Sequence, residues 1–256
     1  MTRTLDFNCD MGESFGAWTI GDDAAMLELV STANIACGFH AGDPAVMRRT
    51  IRMAKANGVS VGAHPSFNDL YGFGRRRISG ERPEDLEAQL IYQIAAVQGM
   101  CAAEGHTMTH VKTHGSLGNM AAVDPDLARL CARAVKLVDP SLVYVSLPYS
   151  ETYAAAEKAG LRVACEIYAD RSYTDAGELT PRNEPDAVIH DPQESLDQVL
   201  EMVVNGVIPT TGGKRLPVEP ATLCVHGDTP GAAIIATRLR KALEENGVVI
   251  APFAKS

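Results

Sequence analysis

Short apolar, β-branched runs of four to seven residues alternate along the chain with longer segments whose apolar positions recur every three or four residues. The short runs predict strands at Thr4–Cys9, Asn34–Cys37, Val59–Ala63, Thr109–Lys112, Leu142–Ser146, Leu161–Ile167 and Thr222–Val225, with Val248–Ala251 as an eighth. The longer segments predict helices over Asp22–Thr32, Pro44–Asn57, Pro83–Glu104, Pro125–Val138, Glu151–Ala159, Pro192–Asn205 and Pro230–Glu245. The punctuation agrees. Asp43-Pro44, Asp124-Pro125, Asp191-Pro192 and Thr229-Pro230 each set a capping side chain before a proline, whose fixed φ suits a first helical turn. Asn57-Gly58, Ala159-Gly160 and Asn246-Gly247 place glycine where helices stop. Seven or eight strand–helix units in a row predict either a (β/α) barrel or a doubly wound sheet. An uninterrupted repeat within 256 residues favours the barrel, TIM-barrel-like and forming a single domain over residues 1–256. The longest irregular stretches, Ser66–Arg82, Asp170–Asp191 and Ile208–Glu219, are expected to be lids or binding loops. Within the last, Gly212-Gly213 predicts a hairpin turn.

Composition narrows the partners. With 46% hydrophobic and 21% charged residues, the chain can bury a large core. A net charge of -9 argues against nucleic acid and anionic membranes as partners. No apolar stretch approaches the roughly 18 residues of a membrane span. Met1-Thr2-Arg3-Thr4 runs directly into a strand pattern, so no signal peptide is expected and the cytoplasm is the expected location. The six cysteines form no Cys-x-x-Cys pair, so they are expected to be buried thiols rather than a zinc knuckle.

The chemistry gathers at strand ends. His40, His64, His114 and His226 each follow a predicted strand, and parallel strands would bring all four to one rim. On the first strand Asp6, Asn8 and Asp10 share a face, and buried carboxylates there need a metal, a lysine or the rim histidines as partners. Lys112, inside a strand and two residues before His114, suggests a cation beside a general acid or base. Its alternative is a lysine–carboxylate pair that only holds the barrel together. Glu166, Tyr168 and Asp170 share a face of the sixth strand, and Arg171 opens the loop beyond it. Arg75, Arg76 and Arg77 lie on a glycine-rich loop that suits capture of phosphate or carboxylate, or forms a solvated face. The segments Cys37–Pro44 and Cys224–Pro230 echo each other as strand, histidine, Gly-Asp and proline-initiated helix. Each sets an imidazole (His40, His226) and an aspartate (Asp43, Asp228) beside free helix N–H groups, a place for an anion. The Walker A and Gly-x-Ser-x-Gly patterns are missing, and no His-x-x-x-His helix for zinc is expected.

Taken in order, the stretches DFNCDMGESFG (Asp6–Gly16), NIACGFHAGDP (Asn34–Pro44), GAHP with GFGRR (Gly62–Pro65, Gly72–Arg76), VKTHGSLGN (Val111–Asn119), EIYADRSY (Glu166–Tyr173) and CVHGD (Cys224–Asp228) resemble the LamB/YcsF family. That resemblance implies a (β/α) barrel of about seven strands, akin to sugar deacetylases and glycoside hydrolases. It implies ATP-dependent hydrolysis of 5-oxoproline to glutamate, with ATP and Mg²⁺ as co-substrate, in an assembly with two further subunits, B and C. Catalysis is then expected of Asp10, His64, Lys112, His114 and Glu166, with acid and base unassigned among them. Substrate or phosphate binding is expected of Asn8, Glu13, His40, Asp43, Arg75, Arg76, Asp170, Arg171, His226 and Asp228. Thr113 and Gly118 depart from the proline and tyrosine usual in the family and bear on the pocket beside His114. A second reading is a metal-dependent deacetylase or amide hydrolase that needs no ATP, with Asp10 and two of His40, His64 and His114 ligating a divalent ion. A third, a non-enzymatic scaffold, has no need of so polar a rim. Oligomeric state, self-association included, stays open.

Overall fold

The computed structural model of the chain describes residues 3–225 and 232–254. The elements run β1 (Arg3–Met11), α1 (Asp23–Leu27), β2 (Thr32–Ala36), α2 (Pro44–Ala56), β3 (Ser60–His64), α3 (Pro83–Ala103) and β4 (Met108–Lys112). They continue α4 (Gly115–Ala121), α5 (Pro125–Val138), β5 (Val143–Ser146), α6 (Glu151–Ala159), β6 (Arg162–Tyr168) and α7 (Pro192–Val203). The last are β7 (Val207–Pro209), β8 (Arg215–Pro217), β9 (Thr222–Val225), α8 (Ala232–Glu245) and β10 (Val248–Ile250).

Seven parallel strands close a barrel in the order β1-β2-β3-β4-β5-β6-β9, with β9 pairing back onto β1. The closing register sets Asp6 opposite Thr222 and Asn8 opposite Cys224, while across β2 Asn8 meets Thr32 and Asp10 meets Asn34. The short β10 lies parallel to the start of β1, pairing Arg3 with Val248. The alternation of β1 explains its placement. Leu5, Phe7, Cys9 and Met11 join the apolar layer between strands and helices, while Asp6 and Asn8 are buried on the opposite face, inside the barrel.

Helix starts follow their caps. Asp43 accepts from the amides of Ala45 and Val46, Asp124 from Asp126 and Leu127, and Asp191 from Gln193 and Glu194. Thr229-Pro230 lies outside the described residues. Gly212-Gly213 does turn a hairpin, between antiparallel β7 and β8. Two elements differ from expectation. The helix expected over Asp22–Thr32 stops at Leu27. The hydroxyls of Ser31 and Thr32 instead donate to buried Asp6, and Thr32 starts β2. The helix α4 was not expected, because two of its seven residues are glycine and His114 at its N-cap makes no side-chain cap bond. All six cysteines are free, five of them buried. Among the described residues, no helix is long and apolar enough to cross a membrane.

Candidate active site

The C-terminal ends of the strands enclose a cavity of about 570 Å³. Its floor is built around Lys112, the last residue of β4, which is only 3% exposed. Lys112 Nζ lies 2.8 Å from Glu166 Oε1 on β6 and 3.0 Å from Asp10 Oδ1 on β1. The same ammonium donates to Cys224 Sγ at 3.0 Å and Asn8 Oδ1 at 3.4 Å, and stands 5.2 Å from the centre of the Tyr168 ring. Burial pulls its pKa down, but the carboxylates of Asp10 and Glu166 outweigh burial and hold it well above the usual lysine value. Burial pushes the Cys224 thiol well up, so it stays protonated. One cation therefore serves two carboxylates from different strands.

Beneath Lys112 the barrel interior is a chain of amides and hydroxyls. Asn8 Nδ2 donates to Glu166 Oε1 at 3.1 Å and to Thr222 Oγ1 at 2.6 Å. Asn34 Nδ2 donates to Asn8 Oδ1 at 2.8 Å and Asp10 Oδ1 at 2.9 Å, and Asn34 Oδ1 is 2.8 Å from His110 Nε2. Asp6 ends the chain, accepting from Ser31, Thr32 and Thr222. Burial raises its pKa to about 6 against the pull of those three hydroxyls. Asn34, His110, Thr222 and Cys224 were missed as members of this network. The signal was present, since each is a polar or thiol residue in an otherwise apolar strand, and His110 shares a strand face with Lys112.

Three of the four strand-end histidines meet on the other side of Asp10. His64 Nε2 is 3.2 Å from Asp10 Oδ2 and 3.0 Å from His114 Nδ1. His40 stacks on His114 with ring centres 3.9 Å apart, and both rings have a nitrogen 3.8 Å from Glu13 Oε1. Burial, with His64 as the next cause, lowers the His114 pKa to about 3, and burial with His114 holds His40 well below its usual value. Both rings are neutral at pH 7. Neither nitrogen of buried His40 has a hydrogen-bond partner among the described residues. The loop 66–82 seals this side. Gly74 takes a left-handed φ of +65°, and a Cβ there would lie 2.8 Å from His114 Cδ2 and 2.9 Å from His40 Cβ, so glycine is required for the approach. The carbonyl of neighbouring Phe73 accepts from His114 Nε2 at 2.9 Å. Among the described residues, two groups of side chains have spacing that suits a metal: Asp10, His64 and His114, and Glu13, His40 and His114.

Other expected residues stand further off. Arg75 and Arg77 line the cavity, but Arg76 does not, because its guanidinium is clamped to Asp69 beside Tyr71. Asp43 is committed to capping α2 and to the Gly16 amide at 2.7 Å. Arg171 reaches the cavity wall, yet it donates to the carbonyls of Thr180 at 2.6 Å and Ala187 at 3.0 Å, which ties down the loop 170–191 rather than presenting a free fork. Asp170 is not among the cavity-lining residues. His226 and Asp228 lie outside the described residues. Thr113 and Gly118 both line the cavity, and a Cβ on Gly118 would come within 2.9 Å of the Thr113 carbonyl.

A closed parallel barrel with acids, imidazoles and a lysine at the C-terminal ends of its strands is a (β/α)-barrel protein of the type that carries its site at the mouth. The chain belongs to the LamB/YcsF family, whose profile matches residues 5–256. It is 50% identical to a protein of Rhodopseudomonas palustris named as the A subunit of 5-oxoprolinase, over 98% of each chain. It is 48% identical to another of that name from Natranaerobius thermophilus, over 97% of this chain and 96% of the other. Its fold superposes on the lactam utilization protein of Thermus thermophilus with a TM-score of 0.91 at 44% identity, covering 97% of this chain and 99% of that one. A T48 deacetylase shares the fold alone, with a TM-score of 0.50 at 13% identity over 98% and 89% of the two chains.

Proposed function

We propose that this chain is the A subunit of an ATP-dependent 5-oxoprolinase, and that it opens the lactam of 5-oxo-L-proline to L-glutamate in an assembly with subunits B and C. The observation that carries the reading is the buried Asp10–Lys112–Glu166 bridge beside the neutral imidazoles of His40 and His114, in a chain half identical to proteins named for that activity. A lactam is a stable amide. Its opening needs positive charge where oxyanion develops, a path for the proton of water, and a proton for the departing ring nitrogen. Lys112 supplies the fixed charge. Asp10 Oδ2 and the facing nitrogens of His64 and His114 converge on one part of the floor, the side from which water reaches the carbonyl carbon. Glu166, 2.8 Å from the ammonium, is placed to exchange a proton with the ring nitrogen. ATP going to ADP and phosphate activates the lactam oxygen, with Mg²⁺ accompanying the nucleotide. Arg75, Arg77 and Arg182, which line the cavity, suit the substrate carboxylate and a phosphoryl group.

The test is 5-oxoproline-dependent release of ADP and glutamate by the purified chain with subunits B and C. Asp10→Asn keeps the shape and should lower kcat by about 100-fold or more. Hydrolysis of 5-oxoproline or of an acetylated sugar by the isolated chain without ATP would overturn the assignment.

A further inference from the structure

The two imidazoles on the floor turn their inner nitrogens toward each other. His64 Nδ1 lies 2.7 Å from the Lys112 carbonyl oxygen, and His114 Nε2 lies 2.9 Å from that of Phe73. A carbonyl oxygen only accepts, so each ring carries a hydrogen on the nitrogen facing it. The opposite nitrogens, His64 Nε2 and His114 Nδ1, face each other at 3.0 Å. Asp10 Oδ2 lies 3.2 Å from His64 Nε2. The three atoms lie within 4.8 Å of one another, a spacing that suits one shared cation.

We propose that Asp10 Oδ2, His64 Nε2 and His114 Nδ1 bind one divalent transition-metal cation of the zinc class, with a fourth position open to the cavity. Three further observations fit. Two bonds of about 2.1 Å at a tetrahedral angle hold ligand atoms about 3.4 Å apart, near the 3.0 and 3.2 Å seen here. Each ring donates its outer N–H to a backbone carbonyl, and Lys112 and Asn34 both hold Asp10 by Oδ1, which leaves Oδ2 aimed at the rings. All three ligand side chains also line the cavity, so an ion held by them would keep a position facing it. Glu13 Oε1 and His40 Nε2, 3.8 Å apart, stand behind His114 as reserve donors. Two imidazoles with one carboxylate suit Zn²⁺ or Co²⁺ better than Mg²⁺, which prefers an all-oxygen shell.

The experiment uses the tag-free chain, stripped with chelator and titrated with Co²⁺ and then Zn²⁺, with no substrate, nucleotide or partner present. One equivalent of Co²⁺ should give saturable visible absorption bands, Zn²⁺ should displace it, and the melting temperature should rise. Asp10→Asn and His114→Gln, checked for folding by circular dichroism, should each weaken binding by about 100-fold or more, at least the loss that follows removal of an outer-shell partner. Nitrogen NMR of the wild-type rings keeps the test independent of variant folding. Zn²⁺ should shift His64 Nε2 and His114 Nδ1 while their partners keep the signature of N–H. No binding at millimolar metal, binding undiminished in both folded variants, or ring-nitrogen signals that Zn²⁺ leaves unmoved would each overturn the proposal. Because the readout is binding by the chain alone, failure here leaves the lactam assignment standing, and failure of that assignment leaves this one.

Discussion

Replacing Lys112 by methionine removes one ammonium and keeps the bulk of its stem. Nζ now contacts four atoms: Glu166 Oε1 at 2.8 Å, Asp10 Oδ1 at 3.0 Å, Cys224 Sγ at 3.0 Å and Asn8 Oδ1 at 3.4 Å. Without it, Glu166, 2% exposed, and Asp10 lose the cation they share. Removing one partner of a buried pair costs roughly 3–5 kcal/mol, because the other charge stays behind. The variant should therefore lose about that much stability in urea melts at pH 7.5. The double variant Lys112→Met/Glu166→Gln strands one charge fewer and retains an oxygen for the Asn8 amide. It should be more stable than the sum of the single losses by about 1–3 kcal/mol. Both should lose turnover by at least about 100-fold, the size expected when a fixed electrostatic stabiliser is removed. A single variant within about 1 kcal/mol of the wild type, or strict additivity in the double, would refute the shared-cation account. Near-normal turnover in folded Lys112→Met would refute the role given to its charge in the reaction.

Two further outcomes follow from the same geometry. Asp6 titrates at about 6 in the fold against an ordinary 3.8, so the folded state holds the proton more tightly, and its contribution is fully present below about pH 4 and lost as pH rises through 6. The gap of about 2 pH units corresponds to about 3 kcal/mol, so wild type minus Asp6→Asn should fall by that amount between pH 4 and 7 in urea melts, and parallel curves would count against it. Arg75 lines the cavity and Arg76 does not, so Arg75→Ala should raise KM for 5-oxoproline about tenfold, as for one lost charge-assisted hydrogen bond. Arg76→Ala should leave KM alone and lower the melting temperature by freeing the loop 66–82 from Asp69, and equal KM effects in the two variants would show that the loop is read wrongly.

The seven barrel strands were legible because a parallel barrel buries both faces of each strand, which leaves short apolar runs separated by amphipathic helices with Asp-Pro starts. The end of α1 was not legible, since the periodicity of residues 22–32 suits a helix and only the hydroxyl contacts of Ser31 and Thr32 with Asp6, on a strand far off in sequence, decide for β2. The short α4 was hidden for the opposite reason. Its two glycines argue against a helix locally, and it is held by the amide of Ser116 on the Gly74 carbonyl at 2.9 Å.

The site shows the same division between what repeats along the chain and what meets across it. Strand-end position places His40, His64 and His114 together, and i, i+2 counting puts Asp6, Asn8 and Asp10 on one face, so the cast was readable. The pairing was not. Whether a strand lysine meets a substrate anion or a carboxylate depends on the stagger that sets β1, β4, β6 and β9 against one another. Lys112 turns out to bridge Asp10 and Glu166. Arginines are harder still, because a long side chain on a loop can turn either way, and of the neighbours Arg75 and Arg76 one faces the cavity and one faces Asp69. No local pattern could have announced how His64 and His114 face each other, because each ring is turned by a backbone carbonyl on a different segment, Lys112 for one and Phe73 for the other. The repeat of strand-end histidines brings the rings to one rim, and contacts between segments far apart in sequence turn their inner nitrogens toward each other and set Asp10 Oδ2 beside His64.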